Sequence, residues 1–554
     1  MKVTRSGRQI YWAAAALIVL LIVAYGNSFT APFIFDDTIN IMENSSIQKL
    51  WPLWHPFNVP ADTGLTGRPL VNFSLAINYA VSKGNTWSYH ALNLIIHILA
   101  TLTFLGIIRL TIMTTEKGAR YLNIALPFSF ACALLWGLHP MHTQAVTYII
   151  QRCESLMGLF FLLTFYAAIR GRQSESSSRW HLLSIMFFLL AVSSKEVAVV
   201  CPVLLLIYEW VFEGHHPWHA IRQSPLLYAG LVLGLIVATI MAAKGNTLIS
   251  RTETIPFTPV SYWITQCQVI FHYLRLVVWP SGLTIDYGWP MAPMREAWPS
   301  MLGVLIALGL SVWALRLRNA AGFLGLWFFM ILAPTSLIPL PDPAFEQRMY
   351  LPSAAIIILI VGAAVNTYEW SQKQLKLWPG SRIYIPAGAI ALVICAGLIF
   401  AFLTYQRNFD YRSDVAIWSD TIKKRPNNFR GYHGLGLALS NRGRQEEALK
   451  CLHHALILNP HNSYANNDAG FILLLMNRPH EAIPFFQKAI QIKDKNSKAY
   501  NNLGAALAQT GNLKEAIFHF TQALRIRPES ISVRDNLIKA VAAYEQSGSE
   551  HRDN

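Results

Sequence analysis

The sequence predicts an all-α fold in two parts: a polytopic helical membrane domain, then a C-terminal solenoid of paired helices. Three observations predict it. Up to about residue 405 the apolar residues fall in blocks of roughly 16–25, the length that crosses a ~30 Å hydrocarbon layer. Beyond that point the chain becomes water-soluble in character, with helical periodicity. There Pro426, Pro460, Asp494 and Pro528 recur 34 residues apart, the period of tetratricopeptide repeats.

The elements follow in order. Lys2, Arg5 and Arg8 precede an apolar run from Tyr11 to Tyr25 with no convincing small-residue cleavage site after it. That pattern is a retained signal-anchor helix. Candidate spans are 11–25, 88–112, 123–138, 150–169, 181–193, 197–212, 225–243, 300–315, 320–340, 351–368 and 383–404, about eleven in all. With the N-terminus inside, alternation puts Lys117/Arg120, Arg170/Arg172/Arg179, Arg222, Arg316/Arg318 and Lys373/Lys376/Arg382 on the cytoplasmic side, as the positive-inside rule requires. Ser261–Trp279 is apolar but contains Gln266, Gln268, His272 and Arg275. A full crossing would put the last two basic groups outside, so this segment is expected to be re-entrant or to lie against the outer face. The expected organisation is a membrane domain over 1–404, with 26–87 as its first outer loop. A linker follows over 405–425, then three repeats and a capping helix over 426–545, and a disordered tail over 546–554.

Composition narrows the function. The chain of 554 residues is 53% hydrophobic and 14% charged, with a net charge of +15. Much of the basic charge sits in short loops between spans, which accounts for it without nucleic acid. The six cysteines lie mainly in apolar segments and form no CxxC pair, so they indicate neither a disulfide framework nor a zinc site.

In the repeats, Gly436, Gly470 and Gly504 stand where helices pack closely, and Leu452, Phe486 and Phe520 fill the gap. Asn467, Asp468, Asn501 and Asn502 are expected on the concave surface, either docking an extended peptide acceptor or forming a solvated face.

The outer side collects the polar residues. Asp36 and Asp37 in FIFDD follow the first span and read as proton-transfer groups, or as caps of a short helix. Arg68 shares their loop. Tyr89, His90, Asn93 and His97 lie on the next helix. His139 and His142 flank the following turn, as local hydrogen-bonding groups or as two histidines lacking a fixed third metal ligand. Arg152 and Glu154 lie inside a span, where charge is costly unless paired or functional; they also read as a structural ion pair. Lys195 and Glu196 occupy a tight turn, and Arg348 an outer entrance. Such cations suit a phosphate at headgroup depth, or anchor on lipid headgroups.

FIFDDTINIMENSSI, GRPLVNFSLAINY, YHALNLIIHIL, LLWGLHPMHTQAVTYIIQRCESL, SSKEVAVV, VVWPSGLTIDY and EQRMYLPSA, followed by the repeats, resemble the transmembrane and tetratricopeptide-repeat-containing O-mannosyltransferases and their prokaryotic relatives. The resemblance covers nearly the whole chain. It implies a C-type membrane glycosyltransferase with a polyprenyl-phosphate sugar donor, mannose or another hexose, and inversion at the anomeric carbon. The acceptor would be a Ser/Thr hydroxyl of a protein on the non-cytoplasmic side. Asp36 would be the base and Asp37 its positioning partner. Lys195, Arg348 and Arg152 would hold the departing phosphate, with Glu154 and Glu196 holding those cations and Arg68, His90, His139 and His142 in support. RCESL departs from the RAELL-like form expected, and the repeats are fewer than in animal members. No cofactor is required; a divalent metal is conceivable but unsupported. The expected location is the inner membrane with the repeats outside, or the endoplasmic reticulum with the repeats in the lumen. Two other readings stay open: a lipid-linked or surface glycan as acceptor, and a non-catalytic scaffold recruiting envelope proteins.

Overall fold

A computed structural model describes residues 5–60, 63–244, 257–374 and 386–550. Lys2, Lys376, Arg382, part of the 244–298 outer region, the start of the 383–404 span and residues 551–554 lie outside them. The described residues are helical, without strands. They form two compact units: Met1–Ile285 with Trp289–Ser413, and Asp286–Gly288 with Asp414–Asn554.

The first unit contains α1 (Arg5–Tyr25), α2 (Pro69–Ser82), α3 (Trp87–Thr114), α4 (Ala125–Gly137), α5 (Thr143–Val146), α6 (Arg152–Gln173), α7 (Ser177–Val192) and α8 (Cys201–Tyr208). It continues through α9 (Pro217–Gln223), α10 (Pro225–Lys244), α11 (Pro259–Val278), α12 (Met294–Arg316), α13 (Ala320–Leu337), α14 (Pro352–Gln374) and α15 (Ala387–Asp410). Among the described residues eight helices are long and apolar enough to cross a membrane, or up to nine if one bent pair is a single span. That pair, Glu196–Glu213 with Pro217–Gln223, turns through 102° at Gly214, whose φ of +76° suits glycine. Helix α7 and Pro225–Met241 are apolar but shorter; at 1.5 Å per residue each reaches about 24–26 Å. The expected number of about eleven therefore rests on three segments that are short or bent.

Helix α11 is one unbroken helix, without the break a re-entrant loop needs. It is not among the eight. One face (Tyr262, Gln266, Val269, Tyr273, Leu276) is buried, while Val260, Trp263 and Phe271 are exposed on the other.

The second unit is α16 (Asp414–Lys424), α17 (Phe429–Ser440), α18 (Gln445–Leu458), α19 (Ser463–Leu475), α20 (Pro479–Ile492), α21 (Ser497–Gln509), α22 (Leu513–Ile526) and α23 (Ile531–Glu550). Asn428, Asn462 and Asn496 cap the first helix of each repeat, their side chains accepting backbone amides of the first turn. A Cβ added to Gly436, Gly470 or Gly504 would come within 2.9, 2.7 or 2.8 Å of Leu452, Phe486 or Phe520. Only glycine admits that approach. Residues 405–425 are largely helical, in α15 and α16, and α23 runs through 546–550.

Candidate active site

The site is built around the short segment that leads into α6. Asp37 is fully buried, and its two carboxylate oxygens accept from the Ile34 amide at 3.1 Å and the Ile150 amide at 2.8 Å. The Asp36 amide donates to the Tyr148 hydroxyl at 2.9 Å. Asp36 itself is half-buried. Burial, with the Asp36 and Asp37 carboxylates beside it, keeps the Tyr148 phenol protonated far above its ordinary range. The two acids thus differ: one spends both oxygens on the backbone, and the other sits at the surface of the unit.

The first turn of α6 and the SSKE turn receive cations from elsewhere in the chain. Lys195 pairs with Glu154 inside the protein. Arg68, which follows the left-handed Gly67, donates to Glu196 at 3.1 and 3.3 Å and to the Cys153 sulfur at 3.8 Å. The Leu70 amide donates to the Ser193 carbonyl at 3.3 Å, tying the first loop to the SSKE turn. Two acids and two bases therefore cancel. Arg348 does not belong to that balance. It is buried, its guanidinium donates to the carbonyls of Pro343 at 2.7 Å and Asp342 at 2.8 Å, and among the described residues it forms no ion pair. A small cavity is lined by both Glu154 and Arg348, with Met157, Val197, Ile331 and Leu351.

Arg348 is held in place by the buried polar face of α11. Gln266 donates to the Pro343 carbonyl at 2.9 Å, and the Tyr273 hydroxyl both donates to the Phe345 carbonyl and accepts its amide, at 2.8 and 2.7 Å. Tyr262 donates to the Thr335 carbonyl at 2.7 Å. Their spacing of four and seven residues was the available signal, one face of a helix.

Arg152 is sealed in the interior. It donates to Asn93 Oδ1 at 2.5 Å, Ser74 Oγ at 3.2 Å and the Tyr89 carbonyl at 3.0 Å. The alternative reading of Arg152 and Glu154 as an ion pair fails, because residues two apart on a helix do not face each other, and Glu154 pairs with Lys195. The histidines are structural hydrogen-bonding groups whose partners are remote in sequence: His90 meets the Ala31 carbonyl at 2.9 Å, His139 the Val277 carbonyl at 3.0 Å, and His142 Ser353 at 3.1 Å. Burial pushes His139 down to about 4 and His142 well below its usual range. Among the described residues no three His, Cys, Asp or Glu side chains converge as a metal would need.

In the second unit the expected docking residues form one hydrogen-bonded chain. Asn536 donates to Asn501 at 2.9 Å, Asn501 to Asn502 at 3.3 Å, Asn502 to Asn467 at 3.0 Å and Asn467 to Asp468 at 3.0 Å. His433 meets the other Asp468 oxygen at 2.7 Å.

Comparison with known proteins fits this architecture. Residues 429–462 and 461–529 each match a family model described as tetratricopeptide repeat. Over 501 residues the chain is 25% identical to protein O-mannosyl-transferase TMTC3 of Mus musculus, covering 82% of this chain and 52% of that protein. Over 462 residues it is 24% identical to protein O-mannosyl-transferase F38B6.6 of Caenorhabditis elegans, covering 80% and 62%. The chain resembles the transmembrane and tetratricopeptide-repeat O-mannosyltransferases. The resemblance extends over some 80% of its length. It spans only about half to three fifths of the length of these relatives. Among solved structures, YrrB, a repeat protein with an unusual peptide-binding site, is 23% identical at a TM-score of 0.23, covering 26% of this chain and 75% of that one. The first repeat domain of Spaghetti (RPAP3) bound to an HSP90 peptide is 20% identical at a TM-score of 0.21, covering 21% and 93%.

Proposed function

We propose that the protein is an inverting membrane glycosyltransferase that moves mannose or another hexose from a polyprenyl-phosphate donor to a Ser/Thr hydroxyl of a protein. The observation that carries this reading is the buried guanidinium of Arg348. A buried cation without a carboxylate partner is costly unless an anion arrives, and it lines one cavity with the Glu154 that holds Lys195. The acids reach that region through contacts and not through chain neighbourhood: Tyr148, which meets Asp36, and Ile150, which meets Asp37, precede Glu154 by six and four residues.

In this reading Asp36 takes the proton of the acceptor hydroxyl as its oxygen attacks the anomeric carbon from the face opposite the phosphate. The bond from that carbon to the phosphate oxygen breaks, and the polyprenyl phosphate leaves with the electron pair. Arg348 and Lys195 stabilise its developing charge. Arg152, enclosed by neutral groups, adds charge without touching the donor. Asp37 holds the loop. The asparagine chain of the repeats docks the acceptor, and reaction and repeats both face the non-cytoplasmic side.

The test is transfer from a synthetic polyprenyl-phosphate mannose to a peptide by the full chain in nanodiscs. Arg348→Gln should raise the donor KM at least about tenfold, and Asp36→Asn should abolish turnover while the protein stays folded. Transfer undiminished in Asp36→Asn would overturn the reading and favour a recruiting scaffold.

A further inference from the structure

A second cavity in the membrane unit is apolar and uses none of the residues assigned above. It has a volume of about 380 Å³ and lies between α3, α6, α13 and α14. One end is closed: Phe104, Leu162, Phe165 and Trp327 are buried, and the Trp327 indole donates to the Leu351 carbonyl at 3.0 Å. At the other end the lining becomes polar, with Lys117, Asn319 and Asn366, all three exposed. The cavity is therefore a blind pocket. Its lining on α14 runs from Ala354 to Asn366, about 18 Å by helical rise, close to one leaflet of a ~30 Å hydrocarbon layer.

The mouth is electropositive for a definite reason. Arg120 and Lys373 both engage Glu369, and the Tyr121 hydroxyl donates to Asn366 at 2.6 Å. Among the described residues Lys117 forms no ion pair. A lone ammonium at the entrance of a leaflet-deep apolar pocket fits an amphiphile with an anionic head and a hydrocarbon chain.

We propose that this pocket holds one acyl chain of an anionic phospholipid, with the phosphate at Lys117, from the leaflet beside the basic loops. It is separate from the donor. The closed end points toward Pro352, so a lipid whose phosphate sits at Arg348 meets the wall and not the mouth.

The test uses the full chain in nanodiscs with a phosphatidylglycerol that carries a diazirine in one acyl chain. Carbene adducts should fall on lining peptides of α3, α13 and α14, and more heavily than with the matching phosphatidylcholine. Gly362 lines the pocket, and a Cβ added there meets only Phe128 Cζ at 3.9 Å. Gly362→Leu should therefore occupy the lipid's space, lowering the adducts about tenfold without lowering the melting temperature. Lys117→Gln should erase the preference for the anionic probe. Adducts undiminished in Gly362→Leu, or equal labelling by the choline probe in the unaltered chain, would overturn the proposal. So would displacement of the probe by polyprenyl phosphate, which would give the pocket to the donor's own chain.

Discussion

The Asp37 carboxylate accepts the backbone amide of Ile150 at 2.8 Å, fastening the first loop to the turn that opens α6. Its second oxygen takes the Ile34 amide. Asparagine retains only one acceptor oxygen. Asp37→Asn should thus leave a buried amide unpaired and lower stability by about 1–3 kcal/mol. Asp36→Asn should leave stability within about 0.5 kcal/mol and reduce transfer by at least about 100-fold. Thermal denaturation and a transfer assay on both variants separate the roles; equal losses of stability would refute the division.

Lys195 and Glu154 are a buried couple, so removing one leaves the other stranded. Lys195→Met should destabilise by about 3–5 kcal/mol, and adding Glu154→Gln should recover most of it. Transfer should stay low in the double variant, since no ammonium is restored. A double variant as active as the unaltered chain would show that Lys195 serves folding alone.

His139 is buried and neutral, with its folded value near 4, below the unfolded value of about 6.5. The unfolded chain therefore binds the extra proton first as pH falls. Stability should be flat above pH ~6.5 and decline toward pH ~4, by of order 3 kcal/mol for this residue. His142, shifted the same way, steepens the decline. Melting temperatures across that window test it, and His139→Gln with His142→Gln should flatten the slope.

Gly470 faces Phe486, and a Cβ there would approach it to 2.7 Å. Gly470→Ala should cost about 1–3 kcal/mol through overpacking, and Phe486→Leu should relieve much of that. Limited proteolysis within 429–529 would follow the loss.

Local features were legible in the sequence and long-range pairings were not. The apolar runs and the repeats show because their signals recur within a few residues; the three repeat glycines do stand at close helix approaches, but the side chains they meet, Leu452, Phe486 and Phe520, belong to the same repeat and do not fill a gap between repeats. Which cation meets which acid depends on helices remote in sequence. Neighbouring Arg152 and Glu154 suggested a pair, yet Glu154 turns to Lys195 and Arg152 to Asn93, Ser74 and Tyr89. Tyr148 stood in an apolar run with nothing to mark it, and its contact with Asp36 arises only because the first loop folds back onto that segment. The polar positions of α11 were visible, but not the Pro343–Phe345 backbone they fasten.

The amides along the repeats all donate in one sense, from Asn536 to Asp468, where the carboxylate also meets His433. Such a row is not symmetric under reversal. Asn501, Asn502 and Asn467 each keep one hydrogen and one lone pair to offer, in an order fixed by the row. A polypeptide strand laid against it would meet matched groups in one N-to-C direction and mismatched ones in the other, so the groove would sort strands by heading before any side chain is sampled.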